Sequence, residues 1–225
     1  DATWNPITGC SKVSEGCLNC YAERLATTWP ALKRHYTHGF KVVEHPDRLK
    51  IKFGRNPKKI FVADMGDLFH PEISPAFLEQ IIGVIKANPQ HIFQLLTKRA
   101  ERLGAIKSYP NNVWLGVTVE SPKYLDRIEY LAATDAQIKF VSAEPLLERF
   151  ENNSWLEKID WLIVGGESGP GRRAFDPQWA RDLRTACAEH GVAFWFKQHG
   201  AKKPGDELLD GELAQEWPNN NQTPV

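Results

Sequence analysis

The sequence predicts a single-domain α/β fold built on a parallel sheet, and three observations predict it. Six short apolar runs, β-branched or aromatic, recur from residue 59 onward, as strands buried on both faces do. Helical patterns separate most of them. Three of those patterns open on a capping residue followed by proline, a start signal because proline lacks only an N–H that the first turn leaves unpaired anyway. At 225 residues and 42% hydrophobic, the chain can bury a substantial core. Strand–helix alternation gives a doubly wound sheet or a partial barrel, and periodicity alone leaves both open.

The first element expected is a helix over residues 18–29, where Leu18, Ala22, Leu25, Ala26 and Trp29 share one face and Pro30 ends the run. Residues 31–59 show no clear period. Their second half is basic, with Arg48, Lys50, Lys52, Arg55, Lys58 and Lys59. Such a run is ordinarily a solvated loop or edge hairpin, and its functional reading is a contact with phosphate. Strands are expected at 59–63, 92–96, 113–119, 138–142, 160–164 and 193–196. Ser74-Pro75 opens a helix carrying Leu78, Ile81, Ile82 and Ile85, which stops at Asn88-Pro89. Thr97 caps one with Ala100, Leu103 and Ile106, and Ser121-Pro122 opens one with Leu125, Ile128, Leu131 and Ala132. Asp176-Pro177 opens the last, with Ala180, Leu183 and Cys187 on its apolar face and Gly191 as its stop. Cys187 is therefore read as core. Residues 148–158 hold a short helix at most. The domain is expected to span residues 1–200, with residues 201–225 an irregular tail.

Basic and acidic residues balance at 28 each, which argues against coating nucleic acid through overall charge but allows a local patch. No apolar run approaches the roughly 18–20 residues that cross a bilayer, so no membrane partner is expected. Clustered cysteines without a signal peptide point to metal ligation in a reducing, cytoplasmic setting rather than to disulfides. The histidines (35, 38, 45, 70, 91, 190 and 199) form no H-x-x-x-H pair, and only His70 and His199 fall at strand ends. No G-x-S-x-G elbow supports serine hydrolase chemistry.

Ligands of parallel sheets and barrels bind at the C-terminal strand ends, and here each end is polar. The first four are followed by Asp64-Met65-Gly66-Asp67, by Thr97-Lys98-Arg99, by Glu120 and by Glu144. The fifth runs into Gly165-Gly166-Glu167-Ser168 and on through Gly171, and the sixth into Lys197-Gln198-His199. The segment 165–171 can cradle a phosphate, ribose or carboxylate, although it lacks the G-x-G-x-x-G order of dinucleotide folds. Asp64, Glu144 and Lys197 are of the type that does acid–base work.

Three of the four cysteines, Cys10, Cys17 and Cys20, fall in C-x6-C-x2-C spacing ahead of the first helix. Zinc and an iron–sulfur cluster are both candidates. Zinc wants a fourth ligand that nothing nearby supplies, whereas a cubane held by three cysteines keeps one iron open for a ligand. The helix N-terminus favours an anionic cluster, and Trp4 and Tyr21 flank the motif as possible shields.

Trp4-Asn5-Pro6-x-x-Gly9-Cys10, with Ser14-x-Gly16-Cys17-x-x-Cys20-Tyr21-Ala22, resembles a phage-borne three-cysteine-motif family, a bacteriophage protein group of unknown function. The residues at 114–120, 140–147, 165–169 and 196–198 continue the likeness, which covers the chain to about Gly200. That family is similar to radical S-adenosylmethionine (SAM) enzymes, so the resemblance implies a partial (β/α)6 TIM-like barrel. It further implies a [4Fe–4S] cluster on Cys10, Cys17 and Cys20 whose open iron chelates SAM. A donor such as flavodoxin or ferredoxin would supply the electron that yields a 5′-deoxyadenosyl radical. Met65-Gly66-Asp67, beside Asp64, stands where such enzymes receive the methionine amino group. Glu120, Glu144 and Gly165–Ser168 would meet ribose and adenine, with Thr97, Lys98 and Gln198 completing the cofactor site. Glu144 and Lys197 are the catalytic candidates, and a nucleobase or nucleic acid the substrate class. Two features depart from the common pattern: the first cysteine gap is three residues longer, and Gly-Gly-Glu follows a late strand rather than the second. A zinc-stabilised nucleic-acid-binding protein and a non-radical barrel enzyme are the competing expectations.

Overall fold

The computed structural model describes residues 2–33, 36–200 and 203–219. His35 and the last six residues of the expected tail lie outside that set. The strands are β1 (Ala2–Trp4), β2 (Ile7–Thr8), β3 (Val43–Glu44), β4 (Lys59–Val62), β5 (Ile92–Thr97), β6 (Val113–Thr118), β7 (Ile138–Ala143), β8 (Trp161–Gly165) and β9 (Ala193–Gln198). The helices are α1 (Tyr21–Thr28), α2 (Pro30–Lys33), α3 (Pro75–Lys86), α4 (Asp126–Ala132) and α5 (Pro177–His190).

Seven strands form one parallel sheet in the order β1-β4-β5-β6-β7-β8-β9, and β2 pairs antiparallel with β3 beside it. The order follows the chain without reversing, so the sheet has no topological switch point and curls into a half-barrel flanked by helices. Six strands were expected and seven are present. β1 is only three residues long, too short to show a period, and it joins the sheet through Ala2, Thr3 and Trp4 against Ile60, Phe61 and Val62. The alternation is also less regular than (β/α)6. The link from β5 to β6 contains a 3₁₀ turn (Ala100–Ala105), as does that from β7 to β8 (Ser154–Lys158).

The helix starts follow the capping logic. The Ser74 hydroxyl accepts from Phe77 N–H, the Asp176 carboxylate accepts from Gln178 N–H, and Gly191 closes α5 at φ 68°. The first helix begins three residues later than expected, at Tyr21 with Cys20 as N-cap, because Glu15–Cys17 forms a 3₁₀ turn and Leu18 is exposed. Ser121 caps no helix directly, since a 3₁₀ turn (Pro122–Tyr124) precedes α4.

Alternation along each strand sends one set of side chains to the helices and the other into the curl. The helix side holds the main core, in which Ile60, Val62, Phe93, Leu95, Leu115 and Val141 share a cluster with Leu78, Ile81 and Ile85 of α3. Cys187 belongs to it, fully buried as expected. Trp114, Ile138, Phe140 and Trp161 pack in the curl with Trp195. Gly116 is required there, since a Cβ would lie 2.4 Å from the Phe140 ring. Residues 203–219, although irregular, pack on the sheet. Leu209 and Ala214 are buried, Phe196 N–H donates to the Ala214 carbonyl, and the Trp217 ring stands 4.7 Å from Trp195 and 5.1 Å from Trp161. Trp4 does not shield the cysteines. It is buried in the core against Phe53 and Phe93 and donates to the Arg48 carbonyl. Among the described residues no helix is long and apolar enough to cross a membrane.

Candidate functional site

Cys10, Cys17 and Cys20 border one cavity of about 160 Å³ at the C-terminal ends of β4 and β5. Asp64, Gly66, Asp67, Thr97, Lys98 and Arg99 form its floor. Each end of the cysteine loop is pinned to a different strand end. Gly9 N–H donates to the Met65 carbonyl at 2.9 Å, and a Cβ on Gly9 would strike the Lys41 carbonyl. Arg99, almost fully buried, donates to Asp67 Oδ2 at 2.9 Å, to Cys10 Sγ at 3.3 Å, and to the carbonyl and hydroxyl of Ser11 at 2.8 and 2.9 Å. Further along, Ser14 Oγ donates to Glu120 Oε1 at 2.5 Å and lies 3.6 Å from Cys17 Sγ. Asn19 Nδ2 reaches Glu167 Oε2 at 2.8 Å. Burial, with Asp67 nearby, raises the Cys10 thiol above its ordinary value, while Arg99 works against the rise.

A second cavity, of about 230 Å³, adjoins the first, with Cys17, Cys20, Tyr21, Phe61, Leu96 and Lys98 bordering both. Thr118 borders both as well, and the remaining wall is made of Gly16 and Asn19 of the cysteine loop and of strand ends: Ser142, Glu144, Pro145, Gly166, Glu167, Ser168, Lys197 and Gln198. Lys197 Nζ sits 3.0 Å from Glu144 Oε1, and Ser142 Oγ donates to Glu144 Oε2 at 3.1 Å. The Glu144 charge raises Lys197 above the usual lysine value, so the ammonium stays protonated near neutrality. Gly165 leaves room for Glu144, whose Oε1 would stand 2.9 Å from a Cβ there.

Of the residues expected at the site, the three cysteines, Asp64, Gly66, Asp67, Thr97, Lys98, Glu144, Gly166, Glu167, Ser168, Lys197 and Gln198 border one or both cavities. All five carboxylates among the expected residues are already engaged within the chain, Glu144 by Lys197 and Ser142 as above. Glu120 is fully buried, borders neither cavity, and holds Arg127 at 2.7 Å as well as Ser14. Asp67 takes Arg99, Thr97 Oγ1 at 2.7 Å and Phe69 N–H at 3.0 Å. Glu167 takes Arg173 at 2.5 Å. Burial opposes its charge, but the bonds from Arg173 and Asn19 hold it below the ordinary carboxylate value. The Met65 side chain packs against Ala22 and Ala26 rather than into a cavity. Asp64 Oδ1 accepts from Asn5 at 2.5 Å on the thiol side, apart from the Glu144–Lys197 pair. Sequence reading missed Arg99, Ser14, Asn19 and Asn5 as supports of the loop. Arg99 stood in view at a strand end, but its bond to Cys10 spans 89 positions.

Of the basic run, Arg48 donates to the Asn5 carbonyl behind Asp64, and the later residues do not reach this site. Lys58 and Lys59 lead into β4 and Gly54 packs on Gln90 and His91 just before β5, so that segment lies at the N-terminal ends of the strands. Among the described residues no three His, Cys, Asp or Glu side chains converge on a position for a single metal ion. Three thiols spaced around one cavity, with Arg99 donating to the Cys10 sulfur, are a donor set that a cluster could occupy.

The family model described as Protein of unknown function (DUF5131) matches residues 1–218. The chain belongs to this family. No curated protein and no solved structure matches it.

Proposed function

We propose that the chain is an iron–sulfur enzyme of radical SAM type, with a [4Fe–4S] cluster on Cys10, Cys17 and Cys20 and SAM in the adjoining cavity. The observation that carries this reading is that three thiols border one cavity which opens, through Cys17 and Cys20, onto a second lined by polar strand ends. Cys10, Cys17 and Cys20 would hold the cluster and the polar strand ends the cofactor, and the pair would supply one-electron reductive chemistry at the sulfonium, with the electron drawn from a donor such as flavodoxin or ferredoxin.

The chain's own residues bind, orient and exclude water. Arg99 places a hydrogen-bond donor at Cys10, and such bonds help set a cluster's potential, while Ser14, its proton given to Glu120, holds the loop beside Cys17. Asp67, held by Arg99 and Thr97, fixes the floor. The Glu144–Lys197 pair offers one anion and one cation to the polar groups of a cofactor, with Lys197 as the proton holder. Phe61 and Leu96, shared by both cavities, keep the junction dry.

Anaerobically reconstituted protein, given dithionite and SAM, is expected to form 5′-deoxyadenosine and methionine in equal amounts. Cys10→Ala, Cys17→Ala and Cys20→Ala should each abolish this, and Glu144→Gln should weaken SAM binding. Absence of 5′-deoxyadenosine from protein carrying its full iron and sulfide would overturn the reading.

A further inference from the structure

An open cavity of about 620 Å³ begins where the polar cavity ends, since Tyr21, Ser168 and Gln198 border both. Its outer wall is one face of α1 and the residues that follow it, which present Arg24 and the 55% exposed Trp29. Arg24 lies over the segment 168–171. A Cβ on Gly169 (φ 103°) would stand 2.2 Å from Arg24 Nη1, so only glycine lets the guanidinium approach this backbone. Across that segment a second open cavity, of about 540 Å³, is bordered by Arg172, Arg173 and His199. Arg173 is paired with Glu167, while among the described residues neither Arg24 nor Arg172 has a carboxylate partner. Among the described residues no acidic side chain borders either cavity. In a chain whose charges otherwise balance, the mouth of the site is therefore cationic and aromatic.

We propose that this mouth binds single-stranded nucleic acid, with one base stacked on Trp29 and the backbone running over the 168–171 segment between Arg24 and Arg172. A base offers a π-face to an exposed indole whatever its identity, and flanking guanidinium groups neutralise the phosphates on either side. Two cavities on opposite sides of one segment suit a continuous strand better than a single nucleotide. As a statement about substrate this rests on the function proposed above, while as a binding site it stands on the surface alone.

The test is fluorescence anisotropy of a labelled oligothymidylate about twelve nucleotides long, measured against salt on the full chain both with and without reconstituted cluster. Binding is expected in both states. Trp29→Ala should weaken it roughly tenfold. Arg24→Gln and Arg172→Gln should each reduce the slope of log K against log salt by about 0.7. Lys52→Gln with Arg55→Gln, at the far end of the sheet, should leave binding unchanged. No binding at low salt, equal loss in the far-end variant, an unaffected Trp29→Ala, or competition by thymidine monophosphate as effective as by the strand would each overturn the proposal. Intact strand binding in protein that forms no cluster would keep this site and remove only the reading of the cysteines.

Discussion

Arg99 donates to Asp67, to Cys10 Sγ and to two atoms of Ser11, so its loss leaves a buried carboxylate uncompensated and the cysteine loop without its anchor. Removing one partner of such a pair costs about 3–5 kcal/mol, so Arg99→Ala should lower the thermal midpoint sharply. Arg99→Lys keeps the charge but not the fork, and should fall between the two. Gly16 offers a sharper test of the loop's fit. A Cβ there would stand 2.4 Å from Glu120 Oε1, so Gly16→Ala should push the loop off Glu120 and reduce iron uptake while leaving the far-UV spectrum unchanged. Glu167 gives the pH dependence. Its value is lower folded than unfolded, so the ordering it contributes is present above the ordinary carboxylate value and lost as pH falls through the folded value. The hydrogen-exchange protection of residues 166–173, taken relative to the intrinsic rate at each pH, should therefore fall in acid, and Glu167→Gln should remove that dependence. At this scale the sequence was legible where chemistry is local. The cysteine spacing and polar strand ends showed themselves, whereas Glu120 read as a cofactor contact because nothing in the chain reveals that Arg127 and Ser14 occupy its oxygens.

Elements were legible in proportion to their length and period. The six expected strands match β4 to β9 within a residue or two, because each carries a short apolar run, buried on both faces in β6 and on alternate residues in β4, β5 and β9. β1 escaped notice, being too short to show alternation. The turn after Thr97 stayed 3₁₀ rather than α. Gly104 weakens a helix there, and the Thr97 hydroxyl is turned to Asp67 and to Arg99 N–H. Within the sheet, Gly116→Ala must displace the Phe140 ring and should cost about 1–3 kcal/mol in chemical denaturation. The C-terminal segment acts as a packed element despite its composition. Trp217 covers Trp161 and Trp195 and lies under Lys59 at 3.9 Å, so Trp217→Ala should destabilise by about 2 kcal/mol, less than a fully buried tryptophan because it is 41% exposed.

Across the whole molecule, the sequential strand order decides between the two architectures that periodicity left open, and it places every polar strand end on one rim. The cysteine loop precedes that rim in the chain yet closes over it, through contacts between residues 59 to 148 positions apart. Long-range closure of this kind has no local signature, which is why the two adjoining cavities could not be foreseen. The later part of the basic run, conspicuous in sequence, lies at the opposite end, while two arginines without a pattern flank the mouth. On the proposed function, Cys10, Cys17 and Cys20 hold one cubane cluster. Iron and acid-labile sulfide, measured on anaerobically reconstituted protein, should then come to about four of each per chain and be lost together when all three cysteines are replaced by alanine. One zinc per chain with no sulfide would contradict it.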